Sequence, residues 1–151
     1  MSQNSIKKSS TYRKDRVETK FDTLDIAKNL KRRVAQYVMN EKKVPKKWRY
    51  FEGKPAVDYA RKIRDCISRA NDIELDDEHP DTEKLKERAQ YQAYALSYCN
   101  ILQLQIDDII EECNGATHEN MAPIVDELTS LVKMITRWQQ SDEARIKQAE
   151  Q

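Results

Sequence analysis

The sequence predicts an all-α protein: an antiparallel four-helix bundle preceded by a flexible basic N-terminal arm. Four segments repeat apolar residues every three or four positions, the spacing of one face of an α-helix. The connections between them are short, which favours antiparallel neighbours. Only two glycines occur in 151 residues. Sheets joined by tight turns, Gly-rich phosphate loops and dinucleotide fingerprints all need more. The length fits one domain and is long enough to bury a core.

Residues 1–20 are polar and rich in Ser, Lys and Arg, with only Ile6, Tyr12 and Val17 as sizeable apolar groups. They bury too little to offset the entropy of ordering, so a basic arm is expected. The bundle is expected over 21–140. Its first helix shows Leu24, Ala27, Leu30, Val34 and Val38 on one face and ends near Lys42 or Lys43, since Pro45 disfavours helical geometry at Val44. A connector from Val44 to Lys54 follows. Pro55 suits the first turn of the second helix, whose apolar face runs through Val57, Ala60, Ile63, Ile67, Ala70 and Ile73.

The acidic stretch Glu74–Asp81, containing Pro80, reads as a loop. Asp81 or Thr82 can cap the third helix, which runs to about Cys113 through Leu85, Ala89, Leu96, Cys99, Ile106, Ile109 and Ile110. Asn114-Gly115 is a stop. Thr117 or Asn120 caps the last helix. Asn120 is the better choice, because it leaves Pro123 in the first turn, where a missing N–H costs little. Residues 141–151 read as a polar tail that frays.

Little in the chain resembles catalytic chemistry. The three cysteines, at 66, 99 and 113, occur singly and in odd number, which argues against a disulfide framework. Cys66 and Cys99 fall on or beside apolar faces, where cysteine acts as a small hydrophobe. A reducing, cytoplasmic compartment follows from this usage. His79 and His118 both lie in expected loops. Asp76, Asp77, Glu78 and His79 are adjacent rather than spaced to converge, and no inward Glu-x-x-His pair suits a di-iron bundle. No serine has a plausible histidine partner. No cofactor, no metal and no enzymatic activity are expected. No apolar run can span a membrane, and no signal-peptide core follows Met1.

The charge distribution carries the positive signal. Residues 1–69 hold 20 Lys/Arg against 8 Asp/Glu and residues 70–151 hold 7 against 18, so halves of +12 and −11 lie beneath the total of +1. Such a split points to an interaction surface or to faces that meet in an oligomer. The basic half includes Lys28, Lys31, Arg32 and Arg33 on the first helix. Lys42, Lys43, Lys46, Lys47 and Arg49 follow, interrupted by Trp48, Tyr50 and Phe51. Cations neutralise phosphates with release of counterions, and exposed aromatics stack on unpaired bases. The structural alternative is that Trp48 and Phe51 plug the end of the bundle while the lysines stay solvated.

Val44-Pro45-Lys46-Lys47-Trp48-Arg49-Tyr50, the pair Ala70-Asn71 near the end of the second helix, a long third helix and a last helix closing on Trp138 form an ordered set. Over Phe21 to Trp138 this resembles the four-helix-bundle family of the accessory variability determinants of diversity-generating retroelements. Proteins encoded by intervening sequences in bacterial 23S ribosomal RNA genes share that bundle. The resemblance implies a non-catalytic, basic homo-oligomer, typically a pentamer. Such a protein partners a reverse transcriptase and its template RNA during mutagenic cDNA synthesis. Carried to this chain, Lys46, Lys47 and Arg49 lie at a bundle end, available to RNA or to the polymerase. By charge alone, Arg32 and Arg33 extend that surface. The competing expectation is a structural homo-oligomeric interaction bundle that binds no nucleic acid.

Overall fold

The computed structural model describes residues 22–76, 78, 79 and 81–151, and among them every regular element is helical. The basic arm expected over 1–20 lies outside the described residues. Helix α1 covers 22–39. A single α-helical turn, α2 (Lys46–Trp48), passes into a π-helical segment, Arg49–Gly53, and then into α3 (Lys54–Asp72). Helices α4 (Thr82–Glu112) and α5 (His118–Glu150) complete the chain.

One core unites the four long helices. Ala27, Leu30 and Val34 of α1 and Ala60, Ile63 and Ile67 of α3 are fully or almost fully buried. Leu102, Ile106 and Ile109 of α4 and Leu128, Leu131 and Ile135 of α5 join them. These positions recur at three- and four-residue spacing, so each helix turns one stripe inward and leaves most of its charges outside. All three cysteines are free, with Cys99 and Cys113 buried and Cys66 partly so. Burial raises the Cys66 and Cys113 thiols and pushes Cys99 up to about 12.

The first helix ends sooner than Pro45 alone would require. The Asn40 side chain accepts from the Lys42 N–H at 3.0 Å, and the Asn40 carbonyl accepts from Lys43 and Val44 at 3.0 and 2.8 Å. An asparagine that captures its own following backbone offers the chain a turn in place of the helix. The expected connector Val44–Lys54 is itself mostly helical, because Pro45 leads straight into α2. Pro55 is in the first turn of α3, but the chain runs helical from Lys46 into it without a break, so an α-helix continued through that point would miss its donor and crowd the carbonyl four residues back. The π-helical widening just before it relieves that conflict, with the Lys54 N–H reaching back to the Arg49 carbonyl.

Asp81 caps α4, accepting from the Glu83 N–H at 3.0 Å. For α5 the cap is Thr117 rather than Asn120. The Thr117 hydroxyl accepts from the Asn120 N–H and the Asn120 side chain accepts from the Thr117 N–H, each at 3.0 Å. This reciprocal box satisfies two end donors at once, which outweighs the cost of placing Pro123 inside the helix. Gly115 has no positive φ. Its role is room: a Cβ there would overlap the Lys42 carbonyl oxygen. Gly53 is needed for the same reason, since a Cβ would overlap a Val38 methyl.

The last helix does not fray at Gln140. It continues to Glu150, and Asp142 within it is only 2% exposed. That carboxylate accepts from Arg88 Nε at 2.7 Å and Nη2 at 2.5 Å, and from Gln92 Nε2 at 2.9 Å. The Arg88 guanidinium also lies 5.4 Å from the centre of the Trp138 ring. Residues 141–151, which read as a polar tail, therefore contain half of a buried, bidentate ion pair.

Asp142→Ala leaves the Arg88 charge buried without its partner and should cost about 3–5 kcal/mol in urea unfolding. The double change Arg88→Met with Asp142→Leu should recover most of that loss. At the other end of the molecule, Gly53→Ala should destabilise by about 1–3 kcal/mol through overpacking, and Val38→Ala in the same chain should return part of it.

Candidate nucleic-acid interface

The turn after α1, helix α2 and the π-helical segment bring Lys42, Lys43, Lys46, Lys47, Trp48 and Arg49 into one stretch of surface at one end of the molecule. Lys42, Lys46 and Lys47 are exposed. The Lys46 ammonium lies 3.3 Å from Glu41 Oε1. Lys47 sits 5.8 Å from the Trp48 ring centre and Lys43 sits 4.8 Å from that of Tyr37. Arg49 is half-buried, and its Nη2 donates to the Met39 carbonyl at 3.3 Å. Its guanidinium thereby joins the end of α1 to the π-helical segment.

The aromatics divide differently from either expectation. Trp48 packs against the core, as a plug would. Phe51 does not: it is 68% exposed and Tyr50 is 72% exposed. Their rings meet edge to face, 5.6 Å between centres and 90° between planes. The π-helical turn explains the exposure, because an added residue per turn shifts the register and carries Tyr50 and Phe51 outward together. Met39, whose carbonyl receives Arg49, is also exposed, at 65%. The sequence marks Tyr50 and Phe51 as aromatics of the basic segment but not their direction, which depends on the π turn.

Several contacts hold this end in place. Gln105 Nε2, from α4, donates to the Glu52 carbonyl at 3.1 Å and to Glu52 Oε2 at 2.7 Å. Burial is the main reason the Glu52 carboxyl is raised, and nearby Asp108 adds to it. The Tyr37 hydroxyl donates to Asn120 Oδ1 at 2.5 Å, tying α1 to the cap of α5.

Arg32 and Arg33 part company. Arg33 reaches α5, with Nε 2.8 Å from Glu127 Oε1. Arg32 faces the groove between α1 and α3, together with Lys28, Lys31 and Arg64. Arg33 is engaged by α5 while Arg32 lines the groove toward α3, so the two arginines do not extend one surface. Arg64, on α3, adds to this groove a cation that the charge pattern of the first helix does not contain.

Among the described residues no group of three or more His, Cys, Asp or Glu side chains could hold a metal ion. None of their helices is long and apolar enough to cross a membrane. No family model matches the chain, and no curated protein or solved structure is detectably similar to it.

Burial pushes Tyr37 from 10.0 up to about 12, outweighing a hydrogen bond with the Thr117 backbone. Cys99 moves in the same direction, from 9.0 to about 12. Both groups are favoured neutral in the folded state, so the unfolded chain loses their protons first. Stability should be intact below pH 9 and fall as pH rises from there toward 12, by up to about 1.4 kcal/mol per pH unit for each group. Urea midpoints across that range test this, and Tyr37→Phe should flatten the part above pH 10.

Proposed function

We propose that this chain is a non-catalytic nucleic-acid-binding protein that uses the end formed by residues 42–51. The observation that carries the reading is that one short stretch, residues 42–51, holds Lys42, Lys43, Lys46, Lys47 and Arg49 together with the exposed Tyr50–Phe51 pair. Cations alone serve any polyanion. Cations beside exposed aromatic rings suit a strand with unpaired bases, since phosphates meet the charges while bases stack. The stacking role moves here from Trp48 to Tyr50 and Phe51.

The narrower form of this reading is an accessory subunit of a diversity-generating retroelement, acting with a reverse transcriptase on template RNA or its cDNA. The Pro45–Tyr50 segment and Ala70-Asn71 support it by resemblance. An antiparallel four-helix bundle belongs to the same reading. Tyr37 meets Asn120 while Arg33 meets Glu127, and Lys86 pairs with Glu150 while Arg88 pairs with Asp142. Assembly into a homo-oligomer, with a pentamer favoured, and a cytoplasmic setting complete it.

A second reading, a homo-oligomeric interaction bundle without nucleic-acid binding, draws on exposed Met39, Tyr94 and Leu104. Binding to a labelled single-stranded RNA at several salt concentrations separates the two. The affinity should fall steeply with salt, and Lys46→Glu with Lys47→Glu and Arg49→Glu should remove most of it. Tyr50→Ala with Phe51→Ala should weaken single-strand binding by about tenfold or more while leaving duplex binding nearly unchanged. RNA affinity indifferent to salt and to the charge reversals, with an oligomer mass that shifts with salt, would establish the second reading instead.

A further inference from the structure

Between α1 and α3 lies a cleft of about 350 Å³. Lys28, Lys31 and Arg32 reach it from α1, and Arg64, Asp65 and Ser68 reach it from α3. The spacing of the three α1 cations places them on one helical face. Asp65 is the one carboxylate among these lining residues, and it is already engaged. Its Oδ1 accepts from Arg64 Nε at 3.1 Å and from Nη2 at 2.9 Å. That contact orients the guanidinium as well as neutralising part of its charge.

The α1 cations are different. Among the described residues Lys28, Lys31 and Arg32 form no ion pair, and Arg32 makes only a long 3.5 Å contact with Asn29 Oδ1. Nearby cations on the same two helices do find acids: Arg33 with Glu127, Lys54 and Arg61 with Asp58. Three unmatched cations and one oriented guanidinium around a concavity repel one another. Low-dielectric walls concentrate their field inside it. An anion placed there relieves the repulsion, and the Ser68 hydroxyl supplies a neutral donor.

We propose that this cleft is a phosphate-binding subsite that takes a phosphodiester group of a nucleic-acid strand. The proposal rests on the nucleic-acid-binding reading above and extends it away from residues 42–51. Arg32 lies seven residues before the end of α1, about 10 Å along the axis. That is roughly three phosphates at duplex spacing. One strand can therefore occupy the cleft and continue onto the basic end. Phosphate contacts of this kind fix the path of a strand without reading its sequence.

The test starts from three forms of the 151-residue chain and adds Ser68→Asp as a fourth, each checked for its thermal midpoint, binding one labelled single-stranded oligonucleotide from 0.05 to 0.3 M salt. The first three are the parent, Lys28→Ala with Lys31→Ala and Arg32→Ala, and the Lys46, Lys47 and Arg49 reversal. The cleft variant should bind roughly tenfold to a hundredfold more weakly at 0.1 M salt, with a salt slope lower by about 2. Ser68→Asp, which places a carboxylate in the cleft without removing a cation, should weaken binding in the same direction.

A cleft variant and a Ser68→Asp variant that both bind like the parent, while the reversal at 46, 47 and 49 abolishes binding, would overturn the cleft and leave the function standing. A parent that binds no oligonucleotide even at 0.05 M salt would overturn both. Pyrophosphate supplies the remaining arm. If it saturates the parent as tightly as the oligonucleotide and the cleft variant loses it, the site belongs to a free phosphate compound and the strand proposal fails.

Discussion

The turn between α4 and α5 lies against the backbone of residues 40–43 so closely that any side chain at Gly115 would overlap the Lys42 carbonyl oxygen. A second approach of the same kind occurs at Gly53, where the π-helical segment meets Val38 of α1. The chain has only two glycines, and both occupy contacts at one end. There the requirement is space, against backbone at Gly115 and against a Val38 methyl at Gly53, not an unusual φ. The chain turns after α1, widens into a π turn and begins α5 within one small region. Most of the candidate interface is built on that junction.

The junction also explains how a cluster of cations is held without a matching cluster of acids. Repulsion among Lys42, Lys43, Lys46, Lys47 and Arg49 acts to splay a loop open. Here the segment is helical from Lys46 onward, anchored through Trp48 in the core, through Gln105 to Glu52, and through Arg49 to the Met39 carbonyl. Hydrogen bonds and packing, rather than pairing of the lysines with acids, set the backbone, so the exposed ammonium groups of Lys42, Lys46 and Lys47 remain on the outside. A surface pre-organised in this way loses less conformational entropy on meeting a ligand than a flexible basic loop does.

Much of this was legible in advance, for reasons that differ by element. The apolar stripes of the long helices depend on local period alone, and most of the residues they mark are buried, though in α4 the marked Ala89, Leu96 and Ile110 are half-buried while Ala95 and Leu102 beside them are fully buried. The Asp81 cap and the stop at Cys113 are local signals too. What escaped is set by distant partners. The π turn follows from Pro55 acting on a helix that had already begun at Lys46, so Phe51 points outward while Trp48 points in. Arg33 looks like a companion of Arg32 until α5 brings Glu127 to it. Asp142 sits in a polar stretch whose composition reads as a tail, and only the arrival of Arg88 from α4 gives it a buried role.

That buried pair carries a consequence for the opposite end. An apolar stripe tolerates a slip of one helical turn, because one leucine replaces another against the same surface. A bidentate Arg88–Asp142 contact does not, since a slip would leave two charges buried and unpaired. It therefore pins α5 against α4 more sharply than the core can. Asn120 lies 22 residues earlier on the same helix, about 33 Å away along a rigid rod. Its side chain receives the Tyr37 hydroxyl and caps the turn that presses on Lys42. The register fixed by two buried charges at one end thus fixes where the glycine junction closes at the other, and with it the spacing of the basic surface.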